Sequence, residues 1–253
     1  MEQDVVEQIG TIVGENNYST RIADLYTYGF DASIHHVTPE IVVQPRSTEQ
    51  VSKLMKLANS LKIPVVPRGA GTGLCGGAVP LKGGMVMDLT RMNKIKEIRV
   101  EDLYCVCEAG VVYDQLQKAL GPYKFTFPPT PGSAEACTIG GMVSTNASGM
   151  RAIKYGGTRD YVLGLEVVLP TGEIMQLGTR TLKNACGYQL DRLFVGAEGT
   201  LGVITQVTLK IVPKPKKMAM IIAGFDTLEK AGKCVSALIA KPLLPSAVEL
   251  MDS

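Results

Sequence analysis

Apolar positions in the first ninety residues alternate between helical and strand spacing. Residues 1–14 carry an apolar stripe at helical spacing, and the run 41–45 (IVVQP) predicts a short strand. A capping box at 47–50 (STEQ) opens the next predicted helix, and 63–67 (IPVVP) predicts a second strand. With a third strand predicted at 85–89 (MVMDL), this part of the chain is typical of a β-α-β unit.

Strand spacing dominates the chain from there to residue 216. One helix is predicted at 112–120, and the predicted strands cover 104–111, 163–169, 173–177 and 201–212. The pattern predicts an α+β protein with two lobes. A small β-α-β lobe spans about 37–100, and a larger, mainly antiparallel sheet lobe with helices spans 101–216.

The two ends of the chain fall outside these lobes. Residues 1–36 are interpreted as an N-terminal helical segment. In the tail, 218–225 and 246–251 predict strands, and Asp226 begins a predicted helix between them. A β-α-β start of this length cannot close its own core, so residues 217–253 are interpreted as the truncated start of a further domain.

Composition excludes several classes of function. The 26 Lys and Arg nearly balance the 24 Asp and Glu, so nothing indicates a nucleic-acid surface or a polybasic membrane anchor. No apolar run approaches the roughly 20 residues of a membrane span, and the acidic N-terminus has no apolar signal core. The six cysteines are scattered and the two histidines, His35 and His36, are adjacent, so no metal site is predicted. The expected location is the cytoplasm.

Glycine needs an explanation, because 27 are present and many fall in the stretch 67–84 (PRGAGTGLCGGAVPLKGG). Residues 71–76 match the G-x-G-x-x-G pattern, but a dinucleotide-binding turn must open a helix, and here Pro80 and two further glycines follow. No Lys-Ser or Lys-Thr pair follows, which excludes a Walker loop. Either this is an ordinary mobile surface loop, or its alternating glycines let backbone N–H groups converge on an anion without a basic side chain.

Three further glycine-bearing segments of small residues favour the anion-binding interpretation. They cover 131–141, 146–149 and 196–202. A small phosphate needs one such loop, whereas four loops suit a long ligand that lies extended along the backbone. FAD, with its diphosphate between adenine and isoalloxazine, is such a ligand.

At this point the motifs resemble a known family. The segments "PRGAGTGLCGGAVP", "TIGGMVSTNASGMRAIKYGGTRDYVLGLEVVLPTGE" and "KNACGYQLDRLFVGAEGTLGVITQVTLKIVPKP" resemble, in order and spacing, the FAD-binding domain of the vanillyl-alcohol oxidase / p-cresol methylhydroxylase superfamily. The resemblance covers about residues 20–216 and is greatest to FAD-linked glycolate oxidase subunits and D-lactate dehydrogenases. It implies that this chain binds FAD.

The resemblance also implies which residues hold the cofactor. It assigns the diphosphate to the first loop, the flavin and ribityl chain to the next two segments, and the adenine and its ribose to the last. The implied residues are Pro67, Gly69, Ala70, Gly71, Thr72, Gly73, Pro131, Gly132, Thr138, Ile139, Gly140, Gly141, Ser144, Asn146, Gly149, Tyr155, Gly156, Glu198, Gly199, Gly202, Val203 and Ile204. For Val203 and Ile204 a plain strand core is the alternative, and for Asn146 a turn.

One departure from the family pattern and one addition follow from the resemblance. Many relatives bind FAD covalently through a His in an Arg-Gly-Gly-Gly-His pattern, and that position is Thr72 here, so non-covalent FAD is implied. His35 and His36 are interpreted as surface or packing residues. Arg151 and Lys154 are candidate anchors for a substrate carboxylate, because the arginine fork binds carboxylates in a bidentate manner. A solvated charge or a phosphate contact is the alternative for both.

A cap domain follows the FAD domain in this family, and 245–252 (PSAVELMD) resembles its opening phrase. The residues that take the substrate proton in relatives lie beyond that phrase. The catalytic residues are therefore unknown in this sequence and expected in the absent cap domain.

The resemblance implies an oxidoreductase that transfers a hydride from a small 2-hydroxy acid, of the D-lactate or glycolate type, to flavin N5. Electrons would then pass to an acceptor such as an iron–sulfur, cytochrome or electron-transferring flavoprotein partner, which could hold the protein at the membrane periphery. Two alternatives stay open. One is a non-catalytic FAD-carrying electron-transfer or accessory subunit, and the other is a nucleotide-phosphate binding protein with no redox role.

Overall fold

The computed structural model describes residues 1–252. The helices are α1 (Gln3–Val13), α2 (Ile22–Thr27), α3 (Thr48–Leu61), α4 (Tyr113–Leu120), α5 (Ile139–Ser144), α6 (Ala152–Tyr155), α7 (Leu190–Phe194) and α8 (Leu228–Ile239). The strands are β1 (Tyr18–Ser19), β2 (Ile41–Val43), β3 (Val65–Arg68), β4 (Met85–Asp88), β5 (Ile95–Arg99), β6 (Tyr104–Glu108), β7 (Phe125–Thr126), β8 (Val162–Val168), β9 (Ile174–Gly178), β10 (Val203–Lys210) and β11 (Val212–Pro213). The predicted α+β class is confirmed.

The small lobe contains a four-stranded sheet with the strand order β1-β2-β4-β3. Strands β2 and β3 both run parallel to β4, and α3 connects them, so the predicted β-α-β unit is present. Ser47 caps α3, because its Oγ accepts a hydrogen bond from the Gln50 amide at 3.3 Å. Residues 1–36 do not stand apart as a separate segment: α1 packs on α3 in the same core, and β1 pairs with β2.

The larger lobe contains a five-stranded antiparallel sheet with the order β5-β6-β10-β8-β9. Because β5 pairs with β6, residues 95–99 belong to this sheet and not to the small lobe, where the sequence pattern had placed them. Helices α4 and α5 cover the sheet with fully buried side chains, among them Leu116, Leu120 and Ile139. The predicted hairpin around 170–172 is formed by β8 and β9.

Helix α3 joins the two lobes. Val168 of the larger sheet lies in the same buried cluster as the apolar face of α3. Two hydroxyl groups of the helix reach the same lobe: Thr48 Oγ1 donates to Glu166 Oε1 at 2.6 Å, and Ser52 Oγ donates to the Gly172 carbonyl at 2.5 Å. These buried contacts fix how the larger sheet sits relative to the small one.

The tail differs from its prediction. In the described part of the chain no strand forms at 218–225 or 246–251, because neither segment has a neighbouring strand to satisfy its backbone. Helix α8 is present, but its cap is Thr227, whose Oγ1 accepts from the Lys230 amide at 3.3 Å, and not Asp226. No residue of α8 is buried.

Thiol reactivity tests this fold. Cys75, Cys186 and Cys234 are exposed, whereas Cys105 and Cys107 of β6 and the nearby Cys137 are buried. Burial raises the pKa of Cys105 to about 12 and that of Cys107 well above its ordinary value. Since the thiolate is the reactive species, a disulfide reagent should titrate three thiols rapidly in the native protein and the others only after denaturation. Rapid reaction of all six in a folded sample would contradict the burial of β6.

Candidate functional site

A cavity of about 640 Å³ lies where the two lobes and the N-terminal segment meet. This volume falls within the about 300–1,000 Å³ of small-molecule sites. Most of the residues implied by the sequence lie in its wall. They are Pro67, Gly69, Ala70, Gly71, Thr72, Gly73, Pro131, Gly132, Thr138, Gly140, Gly141, Ser144, Glu198, Gly199, Gly202 and Ile204.

Two of the glycine segments touch each other directly. Gly69 follows β3, and a Cβ at this position would overlap Oγ1 of Thr138. Thr138 in turn caps α5, where its Oγ1 accepts from the Gly141 amide at 3.3 Å. The first loop therefore packs directly on the residue that caps α5, and Gly140 and Gly141 line the cavity.

The third segment closes the cavity on another side. The Glu198 amide donates to the Ser144 carbonyl at 2.9 Å, and Gly199 packs against the ring of Pro67. The cavity wall is thus made largely of main chain and small side chains from three separate stretches of sequence. Such a surface presents amide groups to a ligand at close range.

Gly71 has the left-handed backbone that the sequence analysis expects of an amide cradle. Its φ is +69°, a conformation that costs residues with a side chain roughly 1–2 kcal/mol. A Cβ at Gly71 would also overlap the guanidinium of Arg68, which lies directly beneath it. Glycine is required here both for conformation and for space.

Six implied residues lie outside the cavity wall: Ile139, Asn146, Gly149, Tyr155, Gly156 and Val203. Val203 is a core residue with an exposed fraction of 1%, which fits the strand-core alternative. Asn146 has a φ of +48°, and its Oδ1 accepts from the Arg159 amide at 2.9 Å, which fits the turn alternative. Ile204, in contrast, lines the cavity while it packs in the core.

The candidate substrate anchors also lie outside the wall. Arg151 precedes α6 and stands near Tyr113. Burial raises the pKa of Tyr113, while its hydrogen bond with Thr130 and the charge of Arg151 act in the opposite direction. The Lys154 Nζ lies 5.5 Å from the ring centre of Tyr155. The role of Arg151 as an anchor for the substrate carboxylate therefore stays a prediction.

Sequence reasoning missed two charged residues of the wall, Arg68 and Asp31. Arg68 stands inside the glycine stretch, and its place next to Gly69 was the available signal. Asp31 comes from the N-terminal segment, which reaches the loop through a hydrogen bond from the Ala32 amide to the Gly73 carbonyl at 2.9 Å. Nothing local in the sequence indicates that contact.

Metal ligation is not supported by the described residues. Within 1–252, no three His, Cys, Asp or Glu side chains come together in a way that could hold a metal ion. The chemistry of this cavity is that of backbone amides, small side chains and a few charges.

The sequence from 39 to 178 matches a protein family described as the FAD binding domain. This chain belongs to that family. The match runs from β2 to β9 and contains two of the three segments that form the cavity wall. The cofactor of this domain is FAD, and the main-chain wall described above fits a dinucleotide with a central diphosphate.

Individual relatives agree with the resemblance drawn from the sequence. The chain is 39% identical over 251 residues to the glycolate oxidase subunit GlcD of Bacillus subtilis, which covers 99% of this chain and 53% of that protein. It is 44% identical over 230 residues to a D-lactate dehydrogenase of Archaeoglobus fulgidus, covering 89% and 51%. The chain therefore spans about half the length of these relatives.

Solved structures share the fold. An alkyldihydroxyacetonephosphate synthase matches with a TM-score of 0.76 at 25% identity, covering 86% of this chain and 45% of that one. A p-cresol methylhydroxylase with substrate bound matches with a TM-score of 0.75 at 24% identity, covering 85% and 44%. The resemblance to the p-cresol methylhydroxylase type of fold is confirmed.

Replacing Gly71 tests the cradle. We expect Gly71→Val to raise the dissociation constant for FAD at least about 30-fold, equivalent to about 2 kcal/mol, because the side chain displaces the loop from Arg68 and removes converging amides. Fluorescence titration of the apoprotein measures the change. Gly121→Ala is the matched control, since Gly121 has helical backbone, lies outside the cavity wall and has open space for a Cβ. A Gly71→Val protein with native circular dichroism and unchanged FAD affinity would remove the assignment of this loop.

Proposed function

We propose that this chain forms the FAD-holding part of an oxidoreductase that oxidises a small 2-hydroxy acid. The observation that carries the proposal is the cavity wall built from three glycine-bearing segments, in a chain that belongs to the FAD binding domain family. The names of its relatives, a glycolate oxidase subunit and D-lactate dehydrogenases, supply the substrate class. Bound FAD would supply the hydride acceptor at flavin N5.

Each segment of the wall has a separate task in this proposal. The amides of 69–73 hold the diphosphate, and 131–141 lies along the flavin and its ribityl chain. Glu198, Gly199, Gly202 and Ile204 hold the adenine and ribose. Together they fix the cofactor in one orientation and exclude water from most of its surface, which is the protein's contribution to a flavin reaction.

We propose that FAD is bound without a covalent link. Thr72 lies in the cavity wall at the position where many relatives of this type carry a linking histidine. A threonine side chain has no nucleophile of comparable reactivity toward the flavin. The two histidines of the chain, His35 and His36, lie outside the residues that line the cavity.

The location and partners of the protein are part of the same proposal. None of the helices in residues 1–252 is long and apolar enough to cross a membrane. We place the protein in the cytoplasm or at the membrane periphery, held there by an electron-acceptor partner of the iron–sulfur, cytochrome or electron-transferring flavoprotein class. The substrate carboxylate is assigned to Arg151.

FAD binding has a direct test. Apoprotein incubated with FAD and passed through a desalting column should retain a stoichiometric yellow flavin, and FAD should raise its melting temperature as a ligand of the native state does. Acid denaturation should then release all of the flavin into the supernatant. Colour that stays with the precipitated polypeptide would contradict a non-covalent site, and a colourless column fraction would contradict the function itself.

Substrate class is tested on the full-length protein that contains this chain. Anaerobic addition of D-lactate or glycolate should bleach the flavin absorbance, and Arg151→Gln should raise the KM at least about 10-fold by removing a charged hydrogen bond to the carboxylate. Lys118→Gln is the control, because Lys118 is an exposed residue of α4 that pairs with Asp114 and lies outside the cavity wall. Flavin that dithionite reduces but no 2-hydroxy acid bleaches would favour the alternative, a non-catalytic FAD-carrying electron-transfer or accessory subunit.

A further inference from the structure

Arg68 is a buried cation in the wall of the cavity. It is the last residue of β3, its exposed fraction is 8%, and the glycine loop begins immediately after it. Among the described residues that line the cavity it is the one basic side chain, and the acidic ones are Asp31 and Glu198. A dianionic ligand in this cavity therefore has one side-chain charge to balance it.

The Arg68 side chain fills the inside of the glycine loop. Its Nη1 donates to the carbonyl oxygens of Phe30 at 2.8 Å and Ala78 at 3.4 Å. Its guanidinium carbon lies 5.5 Å from the ring centre of Tyr28. Nη2 lies directly beneath Gly71, in the middle of the loop. Nη1 is thus occupied by two carbonyl oxygens, while Nη2 lies next to Gly71 in the middle of the loop.

This buried charge has no ion-pair partner within residues 1–252. Asp88 and Asp31 are near enough to stabilise its charge, but neither places a carboxylate oxygen within 4.0 Å of it. The Asp88 carboxylate is occupied elsewhere, since its Oδ2 accepts from Tyr28 and from Gln44, both at 2.7 Å. Burying a charge costs several kcal/mol unless an opposite charge or strong hydrogen bonds compensate it.

Asp31 adds a second unbalanced group beside the first. Its Oδ1 accepts from the Ser33 amide at 2.8 Å, while its Oδ2 is buried and has no hydrogen-bond partner among the described residues. Burial opposes the ionisation of Asp31, but the hydrogen bonds from Ser33 and the charge of Arg68 act in the opposite direction, and the pKa of the carboxyl is lowered. Without Arg68, the charged side chains among the described lining residues would all be carboxylates.

We propose that Arg68 is the diphosphate-recognition residue of this site: its guanidinium supplies the positive charge that balances the diphosphate and holds the glycine loop in the conformation that binds it. The inference rests on the proposed FAD function and adds a residue that the amide cradle alone does not include. It also explains how a cavity wall with two carboxylates and one cation can bind a doubly charged ligand.

A purely structural role for Arg68 predicts something different. If the side chain only filled the loop, its removal would weaken every ligand of the cavity to a similar extent. If it balances the diphosphate, its removal weakens ligands that carry a diphosphate and spares those that do not. FAD and ADP belong to the first group, and riboflavin and adenosine to the second.

The experiment measures dissociation constants of the apoprotein for these four ligands by calorimetry or fluorescence. The variants are Arg68→Lys, which keeps the charge, and Arg68→Gln, which removes it at similar size. Arg99→Gln is the control, because Arg99 is a half-exposed surface arginine of β5 that pairs with Glu97 and Glu101. All variants are first compared with wild type by circular dichroism and melting temperature.

We expect Arg68→Gln to weaken FAD and ADP at least about 10-fold, the lower range for a charged hydrogen bond, and riboflavin and adenosine less than about 3-fold. Arg68→Lys should recover most of the affinity for the two diphosphate ligands. Arg99→Gln should change none of the four constants.

Three results would overturn the inference. Equal losses for all four ligands would make Arg68 a structural residue only, and so would identical behaviour of the Lys and Gln variants. Unchanged FAD affinity in a folded Arg68→Gln protein would remove its role entirely while leaving the FAD function intact. Wild-type protein that binds neither FAD nor ADP would instead overturn the proposed function. If Arg68→Gln does not fold, Arg68→Met, which also removes the charge, takes its place. A ratio of ADP affinity to adenosine affinity equal to that of wild type would then make Arg68 a structural residue only.

Discussion

The site depends on a close contact between the two chain segments that carry Gly69 and Thr138. Gly69 lies against Oγ1 of Thr138, and any Cβ at position 69 would occupy the place of that hydroxyl. Thr138 cannot withdraw without losing its cap on α5. Because the two residues come from different lobes, the same contact shapes the cavity and sets how closely the lobes approach. A wall of main-chain amides exists only while that approach is kept.

Polar contacts also stabilise the two lobes, and they do so only when every buried polar group has its hydrogen-bond partner. Glu166 lies between them, and its two carboxylate oxygens accept from Thr48, Thr205 and Gln176. On the other side of the small sheet, Tyr28 donates to Asp88 at 2.7 Å. Burial, and then the charge of Asp88, raises the pKa of Tyr28 to about 12, so its hydroxyl stays a donor through the neutral range. Fully satisfied buried networks of this kind favour one arrangement over its alternatives.

Local patterns predicted local structure well. The β-α-β unit, its Ser47 cap and the β8–β9 hairpin each depend on residues close in sequence, and all are present. The prediction of a strand at 218–225 was wrong. Its apolar pattern fits a strand, but a strand also needs a neighbouring strand to pair with, and no local pattern can supply one. The glycine segments were found because their unusual composition is visible in the sequence without knowledge of the fold. Arg68 and Asp31 were missed because their importance comes from burial and from the approach of a distant loop.

The N-terminal segment extends the site beyond the part of the chain that matches the FAD binding domain family. The FAD binding domain match begins at residue 39, yet Phe30 accepts a hydrogen bond from Arg68, and Asp31 is part of the cavity wall. A fragment that begins at residue 39 would keep every glycine of the cavity wall and still lose Phe30, which accepts a hydrogen bond from Arg68, and Asp31, which lines the cavity. Chimeras that exchange the first 38 residues between relatives would therefore alter cofactor retention without touching a single motif by which the domain is recognised.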